Sequence, residues 1–387
     1  MTEAALPHML ALADLEMPAR RRLPRAVFGY IAGGSETGAT VRANRAAFDA
    51  WAFRPRVLVD IRERSTATPL FGRPWAAPFG IAPMGGACTV RCGADLILAR
   101  AAAAAGIPFL LSGASTVPLE RVREAAPSGW FQAYFPSGRD GIAALVDRVA
   151  AAGYEVLVVT VDIPVPANRE NNLRNGWSMP LRLGPRVIAD ALAHPRWLVT
   201  TGLRSVFGRV PHFENFTAER GPPMFGGSTA GAARATDLDW LDLEFIRGRF
   251  PGRVVIKGIL SAEDARLARN AGADGIIVSN HGGRQLDHAA ASLAVLPEVV
   301  AASGDMAVML DGGIRRGTDV LKALALGARF VFVGRPFLYA AALAGEAGVR
   351  QAIELLREEV ERDLGLLGCT EPAGLHSGFL MRAVGGS

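Results

Sequence analysis

Short apolar runs alternate with alanine-rich stretches of helical periodicity along most of this chain, beginning at residue 79. Runs rich in β-branched and aromatic residues, bounded by glycine, proline or polar residues, are typical of buried strands. Such runs occur at residues 79–83, 108–112, 130–134, 156–160, 254–257, 275–279, 307–311 and 330–334. Helical candidates follow them, among them residues 94–105, 141–152, 262–271 and 318–326. Eight strand-then-helix units predict an α/β chain folded as a (β/α)8 (TIM) barrel.

Polar and charged residues collect at the carboxyl ends of the predicted strands. They are Ser112, Gln132, Tyr134, Thr160, Asp162, Lys257, Ser279, His281, Asp311 and Arg335. In a TIM barrel the active site lies on the loops that follow the strands. A doubly wound open sheet is the alternative, but it usually offers one crevice rather than eight contributing strand ends. The distribution therefore favours the barrel.

Two regions fall outside the eight units. Residues 1–75 form a predicted N-terminal helical segment, with helices at 6–15 and 25–32, the second ending before Gly33 and Gly34. The connection after the fourth strand is far longer than an ordinary loop, which is typical of a functional insertion or of disorder. We therefore expect a single domain over residues 1–387, with the barrel in 79–162 and 237–365 and the insertion in 163–236.

The middle of the insertion, residues 181–216, mixes large apolar residues with five arginines. They are Arg182, Arg186, Arg196, Arg204 and Arg209, and the only acidic residues among them are Asp190 and Glu214. Arginines between apolar residues are typical of a segment that lies on an anionic membrane surface. A surface helix packed on its own barrel or on another subunit would show the same composition, so both interpretations stay open here.

Composition excludes several classes of protein. The net charge of +5 is spread over the chain, and no basic block is interleaved with aromatics, so nucleic acid is not an expected partner. Cys88 and Cys92 lack a second Cys or His pair, so no metal site is predicted. The chain shows no secretory signal and no apolar run of membrane-spanning length. An odd number of cysteines, three, favours a reducing compartment, which predicts a cytoplasmic protein.

The stretch Ser279–Asp287, with the sequence SNHGGRQLD, follows the sixth predicted strand. His281 there is a candidate base, and Asp162 after strand four could orient its ring. Arg169 and Arg284 are suited to hold a carboxylate by bidentate hydrogen bonds beside that base. Lys257, at the end of strand five, would favour negative charge on a bound ligand. Structural ion pairs of this kind are also common, so a purely structural role stays open.

Two glycine and arginine clusters follow strands seven and eight, where barrels commonly bind phosphate. They are Asp311–Arg315, with the sequence DGGIR, and Gly334 with Arg335. Glycines allow backbone N–H groups to approach a phosphate closely. No GxGxxG motif follows a strand, so a dinucleotide on a Rossmann unit is not indicated.

Longer strings give a specific resemblance. The stretch SNHGGRQLD, with VIKGILSAEDA before it and LDGGIRRGTDVLKALALGARFVFVGRP after it, closely resembles the FMN-dependent family that oxidises 2-hydroxy acids. Glycolate oxidase, lactate dehydrogenase and mandelate dehydrogenase are members of that family. The resemblance runs from Leu23, in LPRAVFGYIAGG, to Cys369, and so covers nearly the whole chain. It implies an FMN enzyme with a small 2-hydroxy acid as substrate.

The resemblance also implies roles for individual residues. His281 matches the base that removes a proton from the substrate, and Asp162 matches its partner. Tyr30, Arg169 and Arg284 match residues that hold the substrate carboxylate, Tyr134 matches the residue near the hydroxyl, and Lys257 matches the lysine beside flavin N1 and O2. The positions that match the isoalloxazine and ribityl site are Pro83, Met84, Gly85, Ser112, Gln132, Thr160 and Ser279. The positions that match the ribityl and phosphate site are Asp311, Gly312, Gly313, Arg315, Gly334 and Arg335.

Departures from the family pattern refine the expected activity. Met84 stands where threonine is frequent, and Gly85 stands where glycolate oxidase has alanine, which in the family accompanies poor use of oxygen. Ala114 replaces a tryptophan and leaves room for a larger substrate side chain. The resemblance thus predicts an (S)-2-hydroxy acid dehydrogenase with mandelate-like or lactate-like substrate and a quinone acceptor. A soluble oxidase that produces hydrogen peroxide and a non-catalytic flavin-binding protein are the alternatives.

Residues 193–197, with the sequence AHPRW, resemble the membrane-binding segment of mandelate and lactate dehydrogenases. We therefore expect a peripheral protein on the inner face of the cell membrane. By analogy with the family we also expect a homotetramer.

Overall fold

Eight parallel strands form one sheet in the computed structural model, which describes residues 6, 9–178, 184–207, 210–224 and 236–383. The strands are Phe79–Ile81, Leu110–Ser112, Trp130–Ala133, Val156–Thr160, Arg253–Ile259, Gly275–Val278, Ala307–Asp311 and Phe330–Val333. The first pairs with the eighth, and a parallel bridge between Ile81 and Phe109 joins it to the second, which closes the sheet. The predicted (β/α)8 barrel is therefore confirmed, with strand ends shifted by one or two residues at some positions.

The strands are apolar along their whole length because both faces of a barrel sheet are covered. Alternate residues, such as Val156 and Val158, belong to the cluster that fills the barrel interior. The residues between them, such as Leu157 and Val159, belong to the larger cluster packed beneath the surrounding helices. Leu70 and Trp75, from the antiparallel pair Thr68–Leu70 and Arg73–Trp75, join the interior cluster. This arrangement leaves polar side chains at the strand ends.

Helices surround the barrel at Ala94–Ala104, Leu119–Ala125, Arg139–Ala151, Trp240–Arg249, Ala262–Asn270, Ser292–Ala302, Gly317–Ala325 and Arg335–Leu367. The helix predicted to begin near Asp237 begins at Trp240, because the side chain of Asp239 caps it by accepting from Asp242 N at 3.0 Å. The last helix is interrupted at Ala344 and Gly345, whose backbone angles are not helical. Short 3-10 turns lie at Ala87–Thr89, Pro372–Gly374 and Ser377–Phe379.

The N-terminal segment contains the helices Glu16–Arg22, Arg25–Ala32 and Ala39–Asp49. The helix predicted at 25–32 is confirmed. The helix predicted at 6–15 is wrong, because the described part of this range contains only the 3-10 turn Leu12–Leu15. Residues 7 and 8 lie outside the described residues. Asp14 accepts hydrogen bonds from the backbone of Leu10 and Ala11, and this local bonding competes with a helix there. Trp51–Phe53 pairs with Leu380–Arg382, so the end of the N-terminal segment is joined to residues near the end of the described chain.

The insertion after strand four folds into short helices over part of its length. They are Glu170–Arg174, Pro185–Leu192, Pro195–Trp197, the π-helical turn Leu198–Gly202, and Leu203–Phe207. Trp197 Nε1 donates to Thr89 O at 2.8 Å, and Asp190 accepts from Arg25 N at 2.6 Å. One side of the segment 181–216 therefore packs on its own chain, while its residues 181–183 and 208–209 lie outside the described residues.

Candidate active site

A cavity of about 960 Å³ opens at the carboxyl ends of the barrel strands. Most of the predicted site residues line it: Tyr30, Pro83, Met84, Gly85, Tyr134, Arg169, Lys257, His281, Arg284, Asp311, Gly312, Gly313, Arg315, Gly334 and Arg335. The remaining five, Asp162, Ser112, Gln132, Thr160 and Ser279, lie at the same strand ends and are buried or half-buried. The structure thus brings residues that are up to 305 positions apart in the chain, from Tyr30 to Arg335, around one cavity.

His281 and Asp162 form a close pair beside this cavity. His281 Nδ1 lies 2.8 Å from Asp162 Oδ1, and the backbone N–H of His281 donates to Ser279 Oγ at 3.0 Å. His281 has a φ of 57°, a left-handed conformation that is uncommon for a bulky residue and is characteristic of functional sites. A proton on Nδ1, held by Asp162, leaves Nε2 as the proton acceptor of the ring.

The electrostatic surroundings keep this pair in the states that a base needs. Burial lowers the pKa of His281, as do the cations Lys257 and Arg169, while Asp162 opposes them, so the imidazole is neutral near neutral pH. Burial raises the pKa of Asp162, but the attraction of His281 and Lys257 outweighs burial and holds that pKa below its ordinary value. A neutral histidine therefore faces an ionised aspartate.

Lys257 lies beneath the cavity with only 3% of its surface exposed. Its Nζ donates to Ser279 Oγ at 2.8 Å and lies 3.2 Å from Asp311 Oδ2 and 3.8 Å from Asp162 Oδ2. Burial lowers the pKa of Lys257, but the two carboxylates more than offset this and raise it, so the ammonium group is charged. Lys257 thus places a fixed positive charge in a water-poor site, where charge acts strongly.

Arg284 binds the end of the helix Arg25–Ala32. Its Nη1 donates to the backbone oxygens of Tyr30, Ile31 and Gly33 at 2.6, 3.1 and 2.9 Å, and its guanidinium carbon lies 5.0 Å from the Tyr30 ring centre. Tyr30 donates its hydroxyl proton to Gly85 O at 3.0 Å. Burial lowers the pKa of Arg284 without removing its charge. One guanidinium therefore both fixes the N-terminal segment and faces the cavity.

Arg169 reaches the cavity from the insertion side. Its Nε donates to Arg284 O at 3.0 Å, and its Nη2 donates to Gln285 Oε1 at 2.8 Å. The predicted pair of arginines thus lies together on the same side as His281. Two guanidinium groups beside a neutral imidazole are suited to an anionic substrate from which a proton is removed.

A second cationic group lies at the other end of the cavity. Arg335 donates to Ile31 O, Gly33 O and Gly282 O, and burial together with nearby Arg315 lowers its pKa to about 10. Burial also lowers the pKa of Arg315. Two neighbouring half-buried guanidinium groups, one of which lowers the pKa of the other, favour a bound anion between them.

The glycines of this end have a structural reason as well. A Cβ on Gly313 would lie 2.3 Å from Asn44 O, and one on Gly283 would lie 2.7 Å from Val41 N. Both residues have positive φ, at 83° and 74°. Side chains there would push away the helix Ala39–Asp49, so these two glycines permit the N-terminal segment to close over the barrel.

Sequence reasoning missed the residues that fasten this segment. Asp287 accepts hydrogen bonds from the backbone of Thr37, Ala39 and Thr40 and from the Thr37 hydroxyl. The helix Ala39–Asp49 has Gly38 at its N-cap, which has no side chain to cap it, so Asp287 caps it from a distance of 249 positions in the chain. The only signal for this contact in the sequence was that the helix Ala39–Asp49 begins after a glycine, which has no side chain to cap it.

A sequence profile described as FMN-dependent dehydrogenase matches residues 19–382. The chain belongs to the FMN-dependent dehydrogenase family. It is an FMN-dependent oxidoreductase that oxidises the CH–OH group of a 2-hydroxy acid. The resemblance found in the sequence is thereby confirmed.

Known members of this family match over nearly the whole chain. L-lactate dehydrogenase of Pseudomonas aeruginosa is 41% identical over 380 residues, which are 97% of this chain and 99% of the relative. L-lactate oxidase of Nostoc sp. is 40% identical over 384 residues, 97% of this chain and 99% of the relative. The solved structure of the monotopic membrane protein (S)-mandelate dehydrogenase superposes with a TM-score of 0.90 at 35% identity, covering 97% of this chain and all of that one.

The residues of the cavity and of the adjacent strand ends fit FMN. Gln132 Oε1, Thr160 Oγ1 and Asp311 Oδ1 are buried and have no hydrogen-bond partner among the described residues. Leaving such atoms unpaired costs about 1–3 kcal/mol each, so a ligand with ring N–H and carbonyl groups and ribityl hydroxyls is the natural partner. Ser112 and Ser279 differ, because the Ser112 hydroxyl accepts from Ala114 N at 3.2 Å and the Ser279 hydroxyl accepts from Lys257 and from His281 N.

Proposed function

We propose that the enzyme oxidises an (S)-2-hydroxy acid of the mandelate or L-lactate type to the 2-oxo acid and passes the electrons to a quinone at the membrane surface. The observation that carries this proposal is the 2.8 Å contact between His281 Nδ1 and Asp162 Oδ1 beside a cavity with two arginines. A base, its orienting carboxylate and cations for a carboxylate are together what the oxidation of a 2-hydroxy acid requires.

Arg169 and Arg284 would bind the substrate carboxylate, with Tyr30 beside them. The guanidinium groups are held by backbone oxygens and by Gln285, so their orientation is set before substrate binds. Tyr134, which is 8% exposed and lines the cavity, would contact the substrate hydroxyl. This arrangement would present the reacting carbon to His281.

His281 would accept the proton that the substrate loses. Its lowered pKa leaves Nε2 unprotonated near neutral pH, and Asp162 stabilises the imidazolium that forms. FMN, when bound, supplies the two-electron acceptor for the oxidation. Lys257 would hold the flavin ring, where its charge favours negative charge on the ligand, together with Gln132 and Thr160. Arg315 and Arg335, with the backbone of Gly313 and Gly334, would hold the phosphate.

The cavity wall for the substrate side chain is small and apolar. Gly85, Ala114 and Ile163 line it, and Met84 lies nearby. Small residues leave space for either the methyl group of lactate or the phenyl group of mandelate. The cavity wall therefore supports both substrates and does not distinguish between them. Anaerobic mixing of the FMN-loaded enzyme with (S)-mandelate, (R)-mandelate, L-lactate and glycolate, followed by flavin absorbance, would rank them. Equal bleaching by both mandelate enantiomers, or bleaching by none of the acids, would contradict the proposal.

The proposed acceptor is a quinone rather than oxygen. Gly85, which the family pattern associates with poor oxygen use, supports this choice. The alternative is a soluble oxidase that makes hydrogen peroxide, and the 40% identity to an L-lactate oxidase favours it. Reoxidation of the reduced enzyme by air and by a short-chain ubiquinone, measured side by side, separates the two. Rapid reoxidation in air with stoichiometric peroxide would establish the oxidase.

The insertion would attach the enzyme to an anionic membrane. Its apolar side chains Ile188, Leu192, Val199 and Phe207 are 47, 63, 60 and 83% exposed, and Arg186, Arg196 and Arg204 lie among them. This combination is typical of an interfacial segment, and the solved mandelate dehydrogenase is a monotopic membrane protein. Within the described ranges no helix is both long and apolar enough to cross a bilayer.

Co-sedimentation with vesicles tests the attachment. Vesicles that contain phosphatidylglycerol should carry down the wild-type enzyme. The double variant Leu192→Glu, Phe207→Glu should stay in the supernatant, and substrate should still reduce its flavin. The matched control is Leu241→Glu, because Leu241 is 59% exposed but lies outside the insertion. Undiminished sedimentation of the double variant would contradict this mode of attachment. The location on the inner face of the membrane and the homotetramer stay predictions from the family resemblance.

A further inference from the structure

A second cavity lies between the insertion and the N-terminal segment. It encloses about 1110 Å³ when the open space at its mouth is included, and it is bounded by Val27, Trp177, Ile188, Ala191, Trp197 and Leu198, among other mainly apolar residues. Part of this space accommodates a single substituted ring. The catalytic cavity described above does not include any of these residues.

Two polar side chains around this second cavity are already engaged. Trp197 Nε1 donates to Thr89 O at 2.8 Å, and Thr201 Oγ1 donates to Val90 O at 3.3 Å. Burial raises the pKa of the Cys88 thiol to about 12, so it is neutral. No charged side chain lies among the lining residues that the structure describes. Transfer of an anion into such a space is unfavourable, so an uncharged, mainly apolar molecule is the suitable ligand.

The two cavities are separated by a pair of stacked rings. Trp177 lines the second cavity and stacks on Tyr30, with the ring centres 4.3 Å apart and the planes 16° apart. Tyr30 lines the catalytic cavity and donates its hydroxyl proton to Gly85 O. A molecule in the second cavity would therefore lie one aromatic pair away from the flavin site.

The second cavity also borders the surface that we propose faces the membrane. Ile188, Leu192, Leu203 and Phe207 line it and are 47, 63, 40 and 83% exposed, so the same side chains form its wall and the outer apolar surface. A molecule dissolved in the lipid could thus reach the cavity along apolar side chains.

We infer that this second cavity binds the ring of a lipid-soluble quinone. The inference rests on the proposed function, since it assigns a site to the proposed acceptor. The 2-hydroxy acid loses two electrons and two protons to become the 2-oxo acid, and the quinone takes up two electrons and two protons to become the quinol. The apolar walls select an uncharged acceptor, and the position beside Trp177 and Tyr30 keeps it apart from the anionic substrate.

Filling the cavity tests this site. Ala191→Trp places a large ring in the cavity, whereas Ala193→Trp adds the same ring at an exposed position two residues away that does not line it. With decylubiquinone in detergent as the acceptor, Ala191→Trp should raise the quinone KM about tenfold, equivalent to about 1.4 kcal/mol of lost binding. Anaerobic flavin reduction by substrate and turnover with ferricyanide should stay as in the wild type for both variants. Ile188→Phe, a smaller filling change, serves if Ala191→Trp does not fold.

The outcomes separate this inference from the proposed function. Normal quinone kinetics in folded Ala191→Trp or Ile188→Phe would overturn the inference and leave the quinone acceptor in place. A wild type reduced by substrate that does not transfer electrons to decylubiquinone would overturn the proposed acceptor itself. Loss of vesicle sedimentation in Ala191→Trp with an unchanged quinone KM in detergent would show that the cavity holds a lipid chain, which also overturns the inference.

Discussion

Gln285 connects the predicted carboxylate-binding Arg169 to the loop that carries Asp162. Its Oε1 accepts from Arg169 Nη2 at 2.8 Å, and its Nε2 donates to the backbone oxygen of Asp162 at 3.3 Å. The side chain is buried, with 9% of the residue exposed. One amide therefore holds both the cation proposed to bind the substrate and the loop of the residue proposed to orient the base.

Removing this amide should weaken substrate binding more than the chemical step. In Gln285→Leu, Arg169 loses a fixed orientation, and we expect the KM for the hydroxy acid to rise about tenfold, as for the loss of one buried hydrogen bond to a charged group. The value of kcat should fall less. Gln285→Glu should raise KM further, because its carboxylate would compete with the substrate for Arg169.

Steady-state kinetics with the preferred acid measure this effect. Leu286→Ala is the matched control, since Leu286 is the next residue and is 74% exposed. An unchanged KM in Gln285→Leu with a lowered kcat would show that Gln285 acts on the base instead of on Arg169.

The pH dependence of catalysis should follow His281. Its pKa is lowered from an ordinary value of 6.5, chiefly by burial, so the neutral base is present above that lowered pKa and is lost as pH falls through it. We expect kcat/KM to be constant near neutral pH and to decline only below about pH 6.5, which is the ordinary histidine pKa. The same shift destabilises the fold in acid, because the unfolded chain binds this proton at a higher pH than the native one.

Asp162→Asn should change both the rate and the position of this decline. Asp162 raises the pKa of His281, so removing its charge should move the acid limb of kcat/KM to lower pH. The rate should fall by about 10²–10⁴-fold, the usual contribution of an acid–base residue, because Nδ1 loses its orienting acceptor. An acid limb that moves to higher pH would contradict the assignment of that limb to His281.

The barrel and the ring of polar strand ends could be predicted from the sequence because both follow from local patterns. Apolar runs such as 156–160 identify strands, and barrel topology brings residues that follow strands, such as His281 and Asp162, to one face. The contacts of Gln285 with Arg169 and of Trp177 with Tyr30 could not be predicted, since each joins parts of the chain more than a hundred residues apart. No local periodicity encodes such a contact.

Gly85 and Ala114 are in such close contact that their sizes should be coupled. A Cβ on Gly85 would lie 2.8 Å from Ala114 Cβ. Gly85→Ala should therefore destabilise the FMN-loaded enzyme by about 1–3 kcal/mol through overpacking, and Ala114→Gly in the same chain should restore most of that loss. The four proteins of the double-mutant cycle can be compared by denaturant unfolding. If the effects of the two substitutions on the free energy of unfolding were additive, the two side chains would not be coupled, and the backbone would have moved to separate them without strain.

Asp287 should govern how firmly the N-terminal segment closes over the site. Burial raises the pKa of Asp287, but the hydrogen bonds from Thr40, Thr37 and Ala39 outweigh burial and hold that pKa well below its ordinary value of 3.8. The stabilising effect of the ionised carboxylate is therefore fully present above pH 3.8. It is lost only as the pH falls through the lowered pKa. Asp287→Ala leaves the helix Ala39–Asp49 without a cap, and we expect a loss of about 1–2 kcal/mol, as for removal of an N-cap.

Hydrogen exchange should locate the effect of Asp287→Ala. The amides of residues 37–44 should exchange faster, while those of the barrel strand Val156–Thr160 should be unchanged, because the cap is local to the N-terminal segment. Asp287→Asn should fall between wild type and alanine, since an amide keeps one acceptor oxygen. Asp305→Ala, at an exposed aspartate, is the control. Uniformly faster exchange across the barrel would mean that Asp287 stabilises the whole fold and not the closure of this segment.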